Sequence, residues 1–423
     1  MTRAALVTLA FIATSATAGA RAPEWVHAAA AVPLPAYSDQ VRGVALLDET
    51  SVSANANGEI RTVHRMAYKI LGTAGRDLGS VALPFGGDTK LRRVTGWSIA
   101  ASGQYQVGDR DAVETAAFDG ELYADQKLKV LRIPAAEPGS VVAYEYETIS
   151  KPYGLQDVWR FQSGVPVRRA RYSVTLPEGW EYQTRWVNAP ETKPQRAGTS
   201  LVWELTDIAA VEAEPGAPPA HALSGYMGIS FIPPSGAGHR TWNDVARWYE
   251  GLADPRRAGS AAIEAKARAL TANAATAWDK VAALARFAQR DVRYVAIEIG
   301  IGGYQPHAAD AILSTLYGDC KDKVTLLSAM LRTIGVESHY VLVNSERGVV
   351  DERFPSLFGF NHAIIAIKVP EGAPKSLHAA ANGLLYFDPT HPYVPLGLLP
   401  PGLQGSRGLV VAGGKGELVT MPA

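Results

Sequence analysis

Residues Tyr317 to Gly335 read YGDCKDKVTLLSAMLRTIG. Asp319 is a good helix N-cap. Val324, Leu327, Leu331 and Ile334 recur at helical spacing, and Gly335 supplies a stop. The stretch predicts a helix that begins near Cys320. A thiol in the first helical turn meets unpaired backbone N–H groups and the positive end of the helix dipole, which favour the thiolate, the reactive form. Lys321 and Lys323 add positive charge nearby, and Asp322 partly offsets it. Cys320 is the one cysteine among 423 residues, so an intrachain disulfide and a multi-cysteine zinc site are both excluded.

A cysteine nucleophile needs a base, and the base needs a group to orient it. Downstream, Phe360-Asn361-His362-Ala363-Ile364-Ile365-Ala366-Ile367 sets His362 at the mouth of an apolar strand. The next strand ends Leu385-Tyr386-Phe387-Asp388-Pro389-Thr390. Adjacent antiparallel strands would bring Asp388 beside His362, where a carboxylate holds the imidazole and stabilises its charged form. Taken alone, a histidine at a strand start is usually structural, and an Asp before Pro is usually a turn residue. Their order with Cys320 makes Cys320, His362 and Asp388 the candidate catalytic residues.

The text around them is α+β. Thr241 can cap a helix through Val245, Trp248 and Tyr249. Residues 260–272 are alanine-rich with high helix propensity. Thr276-Ala277-Trp278-Asp279 is a capping box, with Val281, Leu284, Ala285 and Ala288 on one stripe. An extended segment follows at 293–299 and a short helix at 308–316. Apolar strands are expected at 339–343, 363–369 and 384–387. Helices come first and sheet after.

Upstream the texture changes. Residues 62–70, 140–147, 171–176 and 201–205 are short alternating runs, rich in β-branched and aromatic residues and bounded by Gly, Pro and Asp. Val142, Tyr144 and Tyr146 share one face of the clearest. Such runs predict an antiparallel β-sandwich. Residues 212–219 (EAEPGAPP) and 232–238 (IPPSGAG) look like linkers. The expected organisation is a leader at 1–20, a β-sandwich at 38–219, a linker at 220–240, a catalytic domain at 241–400 and a tail at 401–423.

The leader has Arg3, an apolar run from Ala4 to Ala13, and small residues at 16–20 that suit cleavage. It is too short to span a bilayer and reads as a secretory signal, with no transmembrane segment after its removal. In an oxidising compartment an unpaired thiol is a liability unless it is used, which weakens the ordinary reading of Cys320 as a small buried hydrophobe. The chain has 41 basic and 41 acidic side chains, so it is not built to hold a nucleic acid by bulk charge. With 47% hydrophobic and 19% charged residues it has the composition of a globular protein, not of a disordered or coiled-coil one. Gly-x-Ser-x-Gly, His-Glu-x-x-His and phosphate-loop motifs are missing, and His239, His307, His378 and His391 show no ligand spacing. Neither a metal nor a nucleotide cofactor is expected.

Gly318-Asp319-Cys320-Lys321-Asp322-Lys323, Asn361-His362 and Phe387-Asp388-Pro389-Thr390 together resemble the Cys, His and Asp boxes of the bacterial transglutaminase-like superfamily. Arg293-Tyr294-Val295 and Gly302-Gly303-Tyr304-Gln305-Pro306 fit the same family. Leu131-Arg132-Ile133-Pro134, Pro138-Gly139-Ser140-Val141-Val142, and Phe161-Gln162-Ser163 with Val165-Pro166-Val167 resemble the β-rich domain of unknown function that often precedes such a module in exported bacterial proteins. The two resemblances run from about Ser38 to Leu399. They imply a papain-like α+β core, with Cys320 opening the central helix and His362 and Asp388 on adjacent strands. Relatives often carry a further C-terminal domain, which is expected to be absent here or cut from the chain.

The implied chemistry is acyl transfer on an amide. Cys320 attacks the carbonyl, His362 protonates the leaving amine, and a thioester is resolved by water or by an amine. The Cys320 N–H and an upstream donor, Tyr304 or Gln305, would hold the oxyanion. The substrate would be a peptide, protein or cell-wall amide. The alternative is a non-catalytic periplasmic or surface binding protein with a relict triad.

Overall fold

Alternating side chains in the N-terminal half build one eight-stranded sheet. The computed structural model describes residues 21–116, 122–212, 214, 216–236 and 238–423; the leader expected at 1–20 lies outside them. Across the sheet the strands run 195–197, 200–208, 167–175, 43–54, 60–70, 141–150, 89–100 and 103–108. All neighbours are antiparallel except Gly43–Ala54 and Val167–Thr175, which pair in parallel. A parallel pair needs a long connection, and here most of the domain intervenes. Val142 is fully buried on one face, while Val141 and Ala143 point to the other and meet Val26 of the helix Glu24–Ala30.

Two three-stranded sheets cover the Val142 side. One contains Gln156–Trp159, Tyr226–Ile232 and Glu181–Val187, and encloses Trp159, Tyr172, Trp203 and Phe231 with the large sheet. The other contains Ser80–Phe85, Lys127–Arg132 and Val113–Ala116, packed about Leu131 and Val94. The N-terminal half is therefore β-rich and layered.

In the C-terminal half, helices Trp242–Ala253, Ala261–Thr271, Ala277–Arg290 and Ala309–Thr315 surround the helix Cys320–Thr333. That helix packs on a six-stranded antiparallel sheet ordered 380–381, 384–387, 362–368, 338–343, 407–412, 415–420. Thr241 and Thr276 cap their helices through side-chain oxygens, as their positions suggest, and Ser260 caps its helix in the same way. The central helix differs from its apparent stripe: Lys321 to Leu331 is buried all round. Its polar residues are satisfied inside. Thr325 donates to the Lys321 carbonyl at 2.7 Å and lies 2.9 Å from the Tyr340 hydroxyl; Ser328 lies 2.9 Å from Ser338 Oγ.

Three expected boundaries need correction. Residues 220–240 are not a linker, because Tyr226–Ile232 is a buried strand between two others of the N-terminal half. Its Pro- and Gly-rich flanks disguise it, and burial on both faces erases alternation. Residues 401–423 are not a tail, because Arg407–Ala412 and Lys415–Thr420 form a hairpin on the six-stranded sheet. Gly413 and Gly414 take φ of +57° and +73° at its turn, a conformation glycine adopts readily. The β-rich half also starts before residue 38, since Ala22, Val26 and Ala29 are buried against the sheet. Among the described residues no helix is long and apolar enough to cross a membrane.

Candidate active site

Asp319 takes an extended conformation and caps the central helix. Its Oδ1 accepts from the N–H groups of Lys321 at 3.1 Å and Asp322 at 3.3 Å, and its own N–H donates to Asp322 Oδ2 at 3.2 Å. This closes a capping box around the N-terminus that carries Cys320. Gly318 allows the turn to close, since a Cβ there would sit 2.5 Å from that of Asp322. Asp322 also accepts from the His307 N–H at 2.7 Å and lies 3.0 Å from its Nδ1. The Lys321 ammonium is buried and pairs with Asp319 Oδ2, so its charge is spent on the cap. Lys323 reaches the Gln289 carbonyl at 3.1 Å, and burial pushes its pKa down to about 8 against the pull of Asp388.

The strand His362–Lys368 pairs with Ser338–Val343 on one side and Leu384–Phe387 on the other. Asp388 follows the latter directly. This register brings His362 Nε2 to 3.0 Å from Asp388 Oδ2. Asp388 Oδ1 accepts from the Thr390 N–H at 2.9 Å and its hydroxyl at 2.7 Å, so the carboxylate is itself oriented. Cys320 lines the same cleft as His362, and its influence is among the causes that raise the His362 pKa. Because Nε2 is committed to Asp388, the ring nitrogen left for the thiol is Nδ1. The fold thus brings together a helix N-terminus carrying Cys320, a strand start carrying His362 and a strand end leading to Asp388, with His362 bonded to Asp388 and sharing a cleft with Cys320.

Burial alone would lower the His362 pKa. The hydrogen bond to Asp388 and the influence of Cys320, with the charge of both, outweigh it and raise it to about 10. Burial raises the Asp388 carboxyl, but the His362 hydrogen bond and charge with the Thr390 bonds bring it below the ordinary value. The imidazole is therefore held as the charged form at neutral pH.

Cys320 and His362 open onto a cleft of about 420 Å³. Tyr304, one of the two expected oxyanion donors, lines it. Gln305 does not; its Oε1 accepts from Arg256 Nη2 at 2.9 Å. Sequence reading missed several neighbours. Tyr249 lines the cleft with a buried hydroxyl that has no partner among the described residues, and its pKa is raised by burial, with Tyr340 and Cys320 adding to it. Glu298 lines it too, its carboxyl raised by burial despite Lys321. Tyr249 reads as a helix core residue, and no local signal places it near Cys320. Thr390 had one: a threonine two residues after an aspartate can close a turn onto the carboxylate.

The architecture has known counterparts. Residues 56–212 match DUF3857, a domain of unknown function whose structure has been solved, and residues 264–373 match the transglutaminase-like superfamily. The second match contains Cys320 and His362; Asp388 lies beyond it. A crystal structure of a candidate protease from Parabacteroides distasonis superposes with a TM-score of 0.67 at 16% identity, covering 90% of this chain and 72% of that one, and so shares the fold. An M1 zinc metallopeptidase from Deinococcus radiodurans (TM-score 0.25, 9% identity, 45% of this chain and 42% of that) and leukotriene A4 hydrolase from Saccharomyces cerevisiae (0.27, 8%, 50% and 33%) are too distant to carry an argument. No curated protein sequence matches the chain significantly. The chain carries a domain of the transglutaminase-like superfamily, preceded by a DUF3857 domain.

Proposed function

We propose that this protein is an exported, cysteine-dependent enzyme that hydrolyses or transfers amide bonds through a thioester. The observation that carries the reading is the arrangement itself: Cys320 at a capped helix N-terminus, on the cleft that His362 also lines, with His362 bonded to Asp388 at 3.0 Å. Cys320 Sγ attacks the substrate carbonyl, and a C–S bond forms. The tetrahedral oxyanion gathers at the helix N-terminus, where the Cys320 N–H is a donor. His362 gives its Nδ1 proton to the nitrogen as the C–N bond breaks, and the amine leaves. Water, or a second amine, then gives a proton to His362 and attacks the thioester; the C–S bond breaks, the acid or new amide leaves, and the Cys320 thiolate beside a charged His362 is restored. Water makes a peptidase or amidase; a lysine amine makes a cross-linking transferase. The substrate class is a peptide, protein or cell-wall amide. The leader-like residues 1–20 support export, and N-terminal sequencing of the mature protein should start between about Gly19 and Pro23.

The test is to profile peptides and cell-wall fragments by mass spectrometry with the wild type and Cys320→Ala, with and without a lysine-bearing acceptor. Wild type should release an amine from at least one amide, and Cys320→Ala should lose that turnover by several orders of magnitude. Turnover that survives the substitution would refute the mechanism, and no turnover by either protein on any amide would favour a relict triad on a binding protein.

A further inference from the structure

The N-terminal domain has no assigned role, yet it forms one wall of the cleft. Asp88, Asp125, Gln126 and Tyr153 line the cavity that Cys320 and His362 line from the other side. We propose that the N-terminal domain is the substrate-binding half of the active site, and that a peptide-like chain lies between the domains with Gln126 and Tyr153 as specificity-determining contacts. This rests on the reading of Cys320 as the nucleophile.

The wall is fixed to the catalytic half at independent points. Leu122–Ala124 pairs in parallel with Ala296–Glu298, a segment that ends beside the cleft. The next residue, Asp125, accepts from the Gly300 N–H at 3.2 Å through Oδ2. On the N-terminal side, the Phe85–Thr89 turn packs tightly against that segment: a Cβ on Gly86, whose φ is +109°, would lie 2.0 Å from the Asp125 carbonyl oxygen. Asp88 and Asp125 are thereby held together at the cleft. Tyr153 stands 5.7 Å from Tyr304 and 6.3 Å from Trp248, ring centre to ring centre, and is 41% exposed.

A second anchor lies under the loop that leads to His362. Gln156 Nε2 donates to the Pro355 carbonyl at 2.7 Å, and Arg185 Nε donates to the Arg353 carbonyl at 2.9 Å. The Phe354 ring lies flat on Gly228, where a Cβ would sit 2.6 Å from it. The wall is thus held on both flanks, as a preorganised binding surface must be. An amide has an acyl side and an amine side, so a cleft with the nucleophile inside it must hold both. The catalytic half contributes one wall and the N-terminal half the other, and the volume of about 420 Å³ that they enclose falls in the range of ligand sites. A partly exposed tyrosine offers broad contact at small entropic cost, since only two side-chain torsions are ordered.

The experiment alkylates Cys320 in the full chain with two reagents. Iodoacetamide reaches only the thiol; benzyloxycarbonyl-Phe-Ala chloromethyl ketone must also fill the cleft before Sγ displaces chloride. Both are applied to wild type, Gln126→Ala, Tyr153→Ala and Tyr153→Phe. The iodoacetamide rate should stay within about twofold of wild type throughout. The peptidyl reagent should label Tyr153→Ala about tenfold more slowly, through weaker reversible binding and not a slower bond-forming step, with Gln126→Ala affected in the same direction and Tyr153→Phe restoring most of the rate. Unchanged peptidyl labelling would overturn the proposal. So would an equal fall with both reagents, since the substitution would then have disturbed the thiol and not the binding surface. A wild-type Cys320 that reacts with neither reagent would refute the catalytic reading itself, and the proposal with it.

Discussion

His362 is the residue whose environment says most about the chemistry. Its pKa is raised from 6.5 to about 10 because Asp388 and Cys320 favour the charged ring more than burial disfavours it. In the proposed role of general acid, a ring raised in this way keeps its proton through neutral pH and loses it only as pH climbs. The upper limb of the kcat/KM profile should therefore lie well above 6.5. Asp388→Ala should move that limb down by about one pH unit or more and cut turnover roughly a hundredfold, because the ring loses its main partner and its orientation. A pH series of turnover with the two proteins checks this; an unmoved limb would remove Asp388 from the mechanism. The same shift has a stability consequence. A raised pKa adds stability that is fully present below pH 6.5 and is lost as pH rises toward about 10. Asp388, with its lowered pKa, contributes in the opposite direction: its share is present above the usual carboxylate value and is lost as pH falls through the folded one. Urea unfolding at pH 6 and pH 10 should show the wild type losing more stability than Asp388→Ala.

At the scale of the element, the central helix is unusual in starting with buried charge. The Asp319–Lys321 pair is almost completely enclosed, with Asp319 1% and Lys321 4% exposed. Asp319→Asn would keep an oxygen for the cap but strand the Lys321 ammonium. Breaking one side of a buried pair costs about 3–5 kcal/mol, more than the ~1 kcal/mol typical of a cap. The unfolding midpoint should fall accordingly, and the double variant Asp319→Asn with Lys321→Met should recover most of the loss. No recovery in chemical denaturation would mean that the cap, and not the pair, is what matters. The helix also explains why its pattern misleads. Val324, Leu327, Leu331 and Ile334 suggest a single apolar face, whereas four helices and a sheet enclose Lys321 to Leu331 on all sides. Thr325 and Ser328 are tolerated inside because Tyr340 and Ser338 meet them.

For the whole molecule, two contacts between distant segments should govern stability. Phe354 is 7% exposed against Gly228 of the N-terminal half. Phe354→Ala should cost about 3 kcal/mol or more and loosen the loop before His362; urea denaturation gives the first and iodoacetamide kinetics the second. Removal of residues 407–423 should do more. It takes the hairpin Arg407–Thr420 from the six-stranded sheet and uncovers Val341 and Leu342, which its first strand pairs with. The truncated chain should be insoluble or lack cooperative unfolding, as judged by circular dichroism; a stable, cooperatively folding product would show that the hairpin is dispensable.

Local sequence is enough to specify the helix that begins at Cys320, the strands that bring His362 and Asp388 together, and the capped helices before them. Each is written in local chemistry: an Asp cap, a Gly stop, a Thr hydroxyl placed for a helix start, an apolar run ended by Asp-Pro. Tertiary structure alone decided the remainder. Tyr226–Ile232 becomes a strand because its buried neighbours pair with it, and a run buried on both faces carries no alternation to announce it. Arg407–Thr420 joins the sheet by pairing with Ser338–Val343, more than sixty residues upstream. The cleft wall at Asp125 and Tyr153 lies about two hundred residues from Cys320 along the chain, and such a contact leaves no local trace, because the energy that forms it comes from surfaces that meet only after both halves have folded.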